Sequence, residues 1–232
     1  MGEVKKGIFY GVGIGPGDPE LLTLKAVRVL RQCPVIAAPK TKSEKTLALD
    51  IAAQAVDLSG KTVVPLFFTM ERDREKQRRA HEEAAAQLEH YLARGQDVAM
   101  LNLGDVSIYA TYCYLMELLQ ARGYQTVMVP GVPSFCAVAA RLGISLTTMN
   151  APLHIVPAGG MPLEGILELP GTKVLMKSGR RLPEVEAALE RKGLLERAVM
   201  VRNCGMKDES VCRSLSGRKE DAGYFATIVV KE

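Results

Sequence analysis

The chain has 232 residues, of which 47% are hydrophobic and 24% are charged, and its formal net charge is +4. These proportions exclude a disordered, collagen-like or coiled-coil chain and are typical of a globular protein, whose length allows one large domain or two smaller ones. Only 5% of the residues are aromatic and tryptophan is absent, so the composition disfavours nucleic-acid binding. The positive net charge favours an anionic small molecule as the partner.

Three global features predict where the protein works. The longest nearly apolar stretch, residues 127–140, contains Pro130, Gly131 and Pro133 and is shorter than the ~18 residues that span a membrane. The first residues lack the apolar core of a signal peptide. The cysteines are odd in number and form no Cys-x-x-Cys pair, which argues against a disulfide framework or a structural zinc site. We therefore predict a cytoplasmic protein with free thiols, no membrane contact and no bound metal.

Short β-rich segments alternate with helical segments through the first part of the chain. The predicted strands cover residues 8–12, 35–38, 62–68, 98–103 and 126–129. The predicted helices cover residues 18–32, 43–56, 71–94 and 108–121, with Asp18 and Ser43 as N-caps. Such an alternation predicts a sheet that is covered by helices.

The second part of the chain repeats the mixture of the two element types. A helix is predicted at residues 134–142, and strands are predicted at residues 154–156, 173–176, 198–201 and 224–230. The best boundary between two lobes is Arg122–Gly123, where a helix ends and a new α/β run begins. This division predicts an N-terminal lobe of residues 1–122 and a C-terminal lobe of residues 123–232.

The densest motif is the segment 11–19, which places four alternating glycines between a strand and a helix. Without side chains, the backbone N–H groups of such a turn can approach a ligand. The dinucleotide pattern G-x-G-x-x-G is not met, because Pro16 or Asp18 occupies the position of its third glycine. The motif therefore indicates either a ligand loop of another kind or a turn that only reverses the chain.

A second glycine-containing segment, residues 55–62, matches a relaxed phosphate-loop pattern. A phosphate loop needs a strand before it and a helix after it, so that the helix N-terminus faces the phosphate. Here a predicted helix precedes the segment and a predicted strand follows it. The order of elements therefore excludes a phosphate loop.

Two further strand-to-helix turns carry polar residues. Gly104 and Asp105 follow the fourth predicted strand, and residues 130–134 follow the fifth. In an open α/β sheet the carboxyl ends of the strands form the ligand crevice. Asp105 can there accept hydrogen bonds from a ligand or cap the next helix, and Ser134 is a candidate N-cap.

The order and spacing of these three motifs resemble those of the tetrapyrrole methylase family, whose members use S-adenosylmethionine. Residues 11–30 are similar to the opening signature of the family, with Leu-Leu-Thr-Leu-Lys-Ala at residues 21–26. Residues 104–112, together with Tyr114 and Leu115, look most like the branch that methylates the C-20 meso carbon of precorrin-2 or cobalt-factor II.

The resemblance implies two α/β lobes with the cofactor in the cleft between them, in a homodimer. It implies the following cofactor-binding residues: Pro16, Leu103, Gly104, Asp105, Ile108, Pro133, Ser134, Met176, Gly205 and Met206. Two positions depart from the family pattern. Val106 replaces a proline that is common after Gly-Asp, and Pro133 replaces a Ser or Thr and so lacks a hydroxyl and an N–H.

The activity implied by the resemblance is methyl transfer from S-adenosylmethionine, which leaves S-adenosylhomocysteine. In-line displacement at a sulfonium depends on positioning, so no protein nucleophile is expected, and the base that removes the meso proton stays unassigned. The substrate is an anionic tetrapyrrole, whose carboxylates would accept charge-assisted hydrogen bonds from Lys177, Arg180 and Arg181.

Two alternatives stay open. One is a methyltransferase of the same fold that acts on another tetrapyrrole carbon or on RNA. The other is a nucleotide-binding domain without catalytic activity. The low aromatic content and the modest charge disfavour RNA, and the presence of all three motifs disfavours a domain that has lost turnover.

Overall fold

The computed structural model describes residues 5–40, 46–69, 73–158, 162–178, 181–216 and 225–231. The chain divides into two compact units, Met1–Pro133 and Ser134–Glu232. The division thus falls later than the predicted boundary at Arg122–Gly123. The reason is that the strand at Thr126–Val129 pairs with the first strand of the chain and so belongs to the first unit.

The first unit contains a five-stranded sheet in which every strand pair is parallel. Its strands are β1 (Phe9–Gly13), β2 (Val35–Lys40), β3 (Thr62–Phe67), β4 (Val98–Asn102) and β5 (Thr126–Val129), in the order β3-β2-β4-β1-β5. Its helices are α1 (Leu24–Gln32), α2 (Leu47–Ala55), α3 (Arg74–Leu92) and α4 (Tyr112–Ala121). Because each helix connects two parallel strands, all four begin at the edge where the strands end.

Apolar side chains bury both faces of this sheet. On one face, Phe9 and Met100 pack against Leu88 of α3 and Leu115 of α4. On the other face, the core is formed with α1 and α2 and includes Leu30. Each fully buried side chain of this size contributes about 1.5–3 kcal/mol. The sheet is therefore a rigid support for the loops at its carboxyl edge.

The second unit contains a mixed sheet. Its elements are α5 (Ser134–Leu142), β6 (Leu153–Pro157), α6 (Glu164–Leu167), β7 (Thr172–Met176), α7 (Leu182–Arg191), β8 (Ala198–Arg202), β9 (Ser210–Cys212) and β10 (Ala226–Val230). The strand order is β6-β7-β10-β8-β9, and β10 is antiparallel to both β7 and β8. The carboxyl ends of β7 and β8 consequently share one edge with the amino end of β10.

The α/β fold with two sheets confirms the predicted fold class, and the predicted strands lie where the pattern indicated. Four of the five predicted helices begin later than predicted: α2 begins at Leu47, after Thr46 in the N-cap position, and α3 begins at Arg74, after the N-cap Asp73. Asp18 caps a short 3-10 turn at Pro19–Leu21, and Thr23 caps α1 in a second step. The helix predicted from residue 108 begins only at Tyr112, because Tyr109 adopts a left-handed backbone with φ of 52°.

Other outcomes concern smaller features. Sequence patterning missed α6, α7 and β9, and the predicted cap Ser43 lies outside the described residues. The segment 55–62 has α2 before it and β3 after it, which confirms that it is not a phosphate loop.

Two kinds of feature are absent from the part of the chain that the structure describes. None of its helices is both long and apolar enough to cross a membrane. In the same residues, no three His, Cys, Asp or Glu side chains are grouped so that they could hold a metal ion. The cysteines are free thiols.

Candidate functional site

The three sequence motifs meet at the carboxyl edge of the first sheet. Since β4, β1 and β5 are neighbours, the loops that follow them are neighbours too. Gly15 and Gly104 join the first two loops by a pair of backbone hydrogen bonds. The N–H of Gly104 lies 2.8 Å from the oxygen of Gly15, and the reverse bond measures 3.3 Å.

Glycines are required where these loops touch. A Cβ atom on Gly13 would lie 2.6 Å from the nitrogen of Gly131 and 2.8 Å from the carbonyl oxygen of Gly104. A Cβ atom on Gly131 would collide with that same oxygen and with the backbone of Gly13. The loops therefore pack backbone against backbone, at a distance that only glycine allows.

At position 11, glycine is required because a side chain packs against the backbone. A Cβ atom there would lie 2.6 Å from the ring of Tyr112. That ring is fully buried, and its hydroxyl lies 3.2 Å from the carbonyl oxygens of Phe9 and Val127, to which it can donate. The first glycine of the motif thus leaves space for the ring of Tyr112, whose hydroxyl bonds to the backbone of β1 and β5.

Asp105 connects the second loop to the third. Its Oδ2 accepts a hydrogen bond of 2.8 Å from the N–H of Gly131, and its Oδ1 accepts bonds from the N–H and the hydroxyl of Ser107 at 2.8 and 2.5 Å. Partial burial raises the pKa of this carboxyl, but the bonds from Ser107, Gly131 and Val106 outweigh it and hold the pKa below its ordinary value. Asp105 is therefore a carboxylate at neutral pH, and it does not cap α4, whose N-cap is Thr111.

The other predicted residues of the first unit lie on the same three loops. Pro16 is buried directly after the Gly15–Gly104 bridge, and Leu103 is half-buried between β4 and Gly104. Ile108 and Pro133 are half-buried within the second and third loops. The sequence prediction thus selected residues that the fold brings to one edge.

In the second unit, the predicted residues lie where β7 and β8 end. Met176 is the last residue of β7, and Gly205 and Met206 lie in the turn after β8. Asn203 opens this turn with a left-handed φ of 51°, and its carbonyl oxygen accepts the N–H of Met206 at 2.9 Å. Ser134, the first residue of α5, places its Oγ 3.4 Å from the Oγ1 of Thr227, near the amino end of β10.

Glu209 stabilises the turn after β8. Its Oε2 accepts the N–H of Gly205 at 2.8 Å, and its other oxygen pairs with the guanidinium of Arg141 on α5. Partial burial raises the pKa of Glu209, but the bond from Gly205 and the charge of Arg141 hold it below its ordinary value. The sequence analysis missed both partners, since Arg141 and Glu209 lie far apart in the chain and form no local pattern.

The predicted substrate-binding cations have different surroundings. Lys177 follows β7, is exposed, and adopts a left-handed backbone with φ of 55°. Arg181 pairs with Glu184 in the first turn of α7. Arg180 lies outside the described residues.

Comparison with protein families shows what the chain is similar to. The family model described as "Tetrapyrrole (Corrin/Porphyrin) Methylases" matches residues 9–218. A protein of Methanocaldococcus jannaschii named probable cobalt-precorrin-2 C(20)-methyltransferase is 38% identical over 73% of this chain and 71% of its own. A precorrin-2 C(20)-methyltransferase of Sinorhizobium sp is 31% identical over 99% of this chain and 97% of its own.

Solved structures share the fold. The X-ray structure of a cobalamin biosynthetic enzyme, cobalt precorrin-4 methyltransferase, has a TM-score of 0.76 at 23% identity and covers 97% of this chain and 94% of its own. A uroporphyrin-III C-methyl transferase from Thermus thermophilus, complexed with S-adenosylhomocysteine, has a TM-score of 0.70 at 25% identity. It covers 97% of this chain and 98% of its own.

Proposed function

Because the chain belongs to the tetrapyrrole methylase family, we propose that it transfers a methyl group from S-adenosylmethionine to the C-20 meso carbon of precorrin-2 or cobalt-factor II in cobalamin biosynthesis. Relatives that are 31% and 38% identical carry this activity in their names. The main structural support is the convergence of the three motif loops at one edge of the first sheet, where glycines let the loop backbones pack closely and Asp105 joins the second loop to the third.

The residues at the two edges suit S-adenosylmethionine. In the first unit, the carboxylate of Asp105 fits a ligand that carries hydrogen-bond donors and a positive sulfonium. Each carboxylate oxygen can accept more than one hydrogen bond, so Asp105 can hold Gly131 and still accept a bond from the ligand. We propose as further cofactor-binding residues Pro16, Leu103, Ile108, Pro133, Ser134, Met176, Gly205 and Met206.

The protein contributes to this reaction mainly by positioning. Bound S-adenosylmethionine supplies an electrophilic methyl group, which an electron-rich meso carbon attacks in line when the two atoms are held about 3 Å apart. No residue of the chain has to form a covalent intermediate. Lys177 and Arg181 would orient the substrate through its carboxylates, as would Arg180 outside the described residues.

We propose, from the family resemblance, that the enzyme is a cytoplasmic homodimer. Analytical ultracentrifugation of the purified chain tests the dimer, because the expected mass is twice 25.2 kDa. A species with the mass of a single chain at micromolar concentration would exclude the dimer and leave the reaction unaffected.

Product analysis tests the reaction. The chain is incubated with S-adenosylmethionine and either metal-free or cobalt-loaded precorrin-2, and the product is characterised by mass spectrometry and NMR. We expect one added methyl group at C-20, since a misplacement of about 1 Å costs roughly a hundredfold in such a reaction. A methyl group on a ring carbon, or two additions, would assign the chain to another branch of the family.

A further inference from the structure

Three rings form a column beside the motif loops of the first unit. The ring of His81 stacks on the ring of Tyr114, with centroids 4.7 Å apart and planes inclined by 10°. The ring of Phe68 also contacts His81, with centroids 5.8 Å apart and planes inclined by 54°. Tyr114 is the outer member of the column and is 57% exposed.

The fold places this column at the carboxyl edge of the sheet. Phe68 follows the end of β3, while His81 and Tyr114 lie in the first halves of α3 and α4, which both begin at that edge. On α3, the buried stripe of Ala85, Leu88 and Leu92 continues at helical spacing to His81, one turn nearer the edge. The column therefore begins where the hydrophobic core ends.

Tyr114 is exposed although it lies between buried side chains of the same helix. Its neighbours on α4, Tyr112 and Leu115, are fully buried, and aromatic residues make up only 5% of the sequence. Tyr109, in the loop that leads from Asp105 to α4, is also 44% exposed and has a left-handed backbone. Such strained conformations cluster at functional sites.

We propose that the outer face of Tyr114, backed by His81 and Phe68, is the surface on which the tetrapyrrole ring system of the substrate lies. This inference rests on the proposed function, because it needs a substrate with a broad conjugated surface. An offset stack on a tyrosine that is already fixed from behind loses little side-chain entropy.

The surroundings of the column favour this occupant. Tyr114 lies in the first turn of α4, and the loop that carries Gly104 and Asp105 leads directly into this helix. Arg74, the first residue of α3, lies two turns before His81 on the same side of the helix. Its charge complements the carboxylates of the substrate. Burial lowers the pKa of His81, so its ring is uncharged at neutral pH and stacks without the cost of desolvating a cation.

Steady-state kinetics with precorrin-2 and calorimetry with S-adenosylhomocysteine test the proposal. Tyr114→Ala is expected to raise the KM for precorrin-2 about tenfold, which corresponds to a loss of about 1.4 kcal/mol of ring stacking. Tyr114→Phe keeps the ring and should restore the wild-type KM. In both variants the Kd for S-adenosylhomocysteine should stay within about twofold of wild type.

Phe67→Ala is the matched control. Phe67 is the last residue of β3, directly before Phe68, and is 59% exposed, but its ring lies beside Lys40 of β2 and not beside His81. Its removal should leave the KM for precorrin-2 unchanged. An equal rise of KM in this variant would overturn the assignment of the substrate to Tyr114.

The remaining outcomes distinguish a failure of the proposed stacking surface from a failure of the proposed methyl transfer. If the wild-type chain methylates precorrin-2 and Tyr114→Ala has the KM of wild type, the substrate does not lie on Tyr114 and the proposed function stands. If Tyr114→Ala weakens S-adenosylhomocysteine as much as precorrin-2, the column only supports the fold and the proposal fails. If the wild-type chain methylates no tetrapyrrole, the proposed function fails, and an absorbance titration with precorrin-2 decides the surface by comparing wild type with Tyr114→Ala.

Discussion

The two units build their strand edges in different ways. In the first unit, three parallel strands end side by side, and their loops are joined through the backbones of Gly13, Gly104 and Gly131. In the second unit, the turn after β8 is held by side chains, with Glu209 accepting the N–H of Gly205 and pairing with Arg141. Backbone contacts tolerate no added atom, whereas side-chain contacts can rearrange, so substitutions at the first edge should cost more.

Gly131→Ala should have the largest effect. Its Cβ atom would collide with the carbonyl oxygen of Gly104 and with the backbone of Gly13, which cannot move aside as a flexible side chain can. We expect a loss of about 1–3 kcal/mol of unfolding free energy and at least a tenfold loss of S-adenosylhomocysteine affinity. Thermal unfolding and calorimetry measure the two effects.

Gly165→Ala is the control for that substitution. Gly165 lies in α6, and a Cβ atom there meets nothing within 4 Å, so the unfolding temperature should stay unchanged or rise slightly. If Gly131→Ala bound S-adenosylhomocysteine as wild type does, the contact of the three loops would have no part in cofactor binding.

Asp105→Ala should have the next largest effect. It leaves the N–H of Gly131 without its acceptor, which costs about 1–3 kcal/mol, and it loosens the third loop from the second. Asp57→Ala is the matched control, since Asp57 makes the same kind of local bond to Ser59 at 2.8 Å in an exposed turn. Only the Asp105 variant should lose affinity for S-adenosylhomocysteine in calorimetry.

Because the pKa of Asp105 is lowered in the folded chain, the free energy of unfolding should depend on pH. The charged form of Asp105 stabilises the folded state above the pKa of the unfolded chain, near 3.8, and this contribution is lost as pH falls through the lower folded value. The difference in unfolding free energy between wild type and Asp105→Asn should therefore narrow below about pH 4. Urea unfolding at pH values from 3 to 7 measures it, and a constant difference would contradict the assignment.

The contrast between the two edges also explains what the sequence could predict. The strands were found because buried parallel strands are short apolar runs, and the motifs at Gly104 and Gly131 were found because each glycine marks a turn between a predicted strand and a predicted helix. The bond from Gly131 to Asp105 required the knowledge that β4, β1 and β5 are neighbours. The pairing of Arg141 with Glu209 joins distant positions, so no window of the sequence contains it.

At the second edge, Glu209→Ala should weaken S-adenosylhomocysteine binding by a few-fold. The variant leaves the N–H of Gly205 unpaired, and about 1 kcal/mol is typical for one such bond. Glu209→Gln keeps an acceptor for that N–H and loses only the ion pair with Arg141, whose side chain is 58% exposed, so its effect should be smaller. Glu164→Gln, which breaks the exposed pair with Arg191, is the control and should not change the calorimetric Kd. Equal Kd values for wild type and Glu209→Ala would show that the turn after β8 does not contact the cofactor.

Lys177→Gly should change stability least. This variant distinguishes a role of Lys177 in substrate binding from a role in forming the turn after β7. A lysine with φ of 55° is strained by roughly 1–2 kcal/mol, which glycine would relieve, while the greater freedom of glycine in the unfolded chain offsets part of that gain. The net rise in unfolding free energy should therefore stay below about 1 kcal/mol. If the ammonium group holds a substrate carboxylate, the same variant should raise the KM for precorrin-2, whereas Lys177→Arg should keep both the strain and the charge. If Lys177→Gly raises the unfolding temperature and leaves the KM for precorrin-2 unchanged, Lys177 does not contact the substrate. The left-handed backbone at this position would then serve only to form the turn after β7.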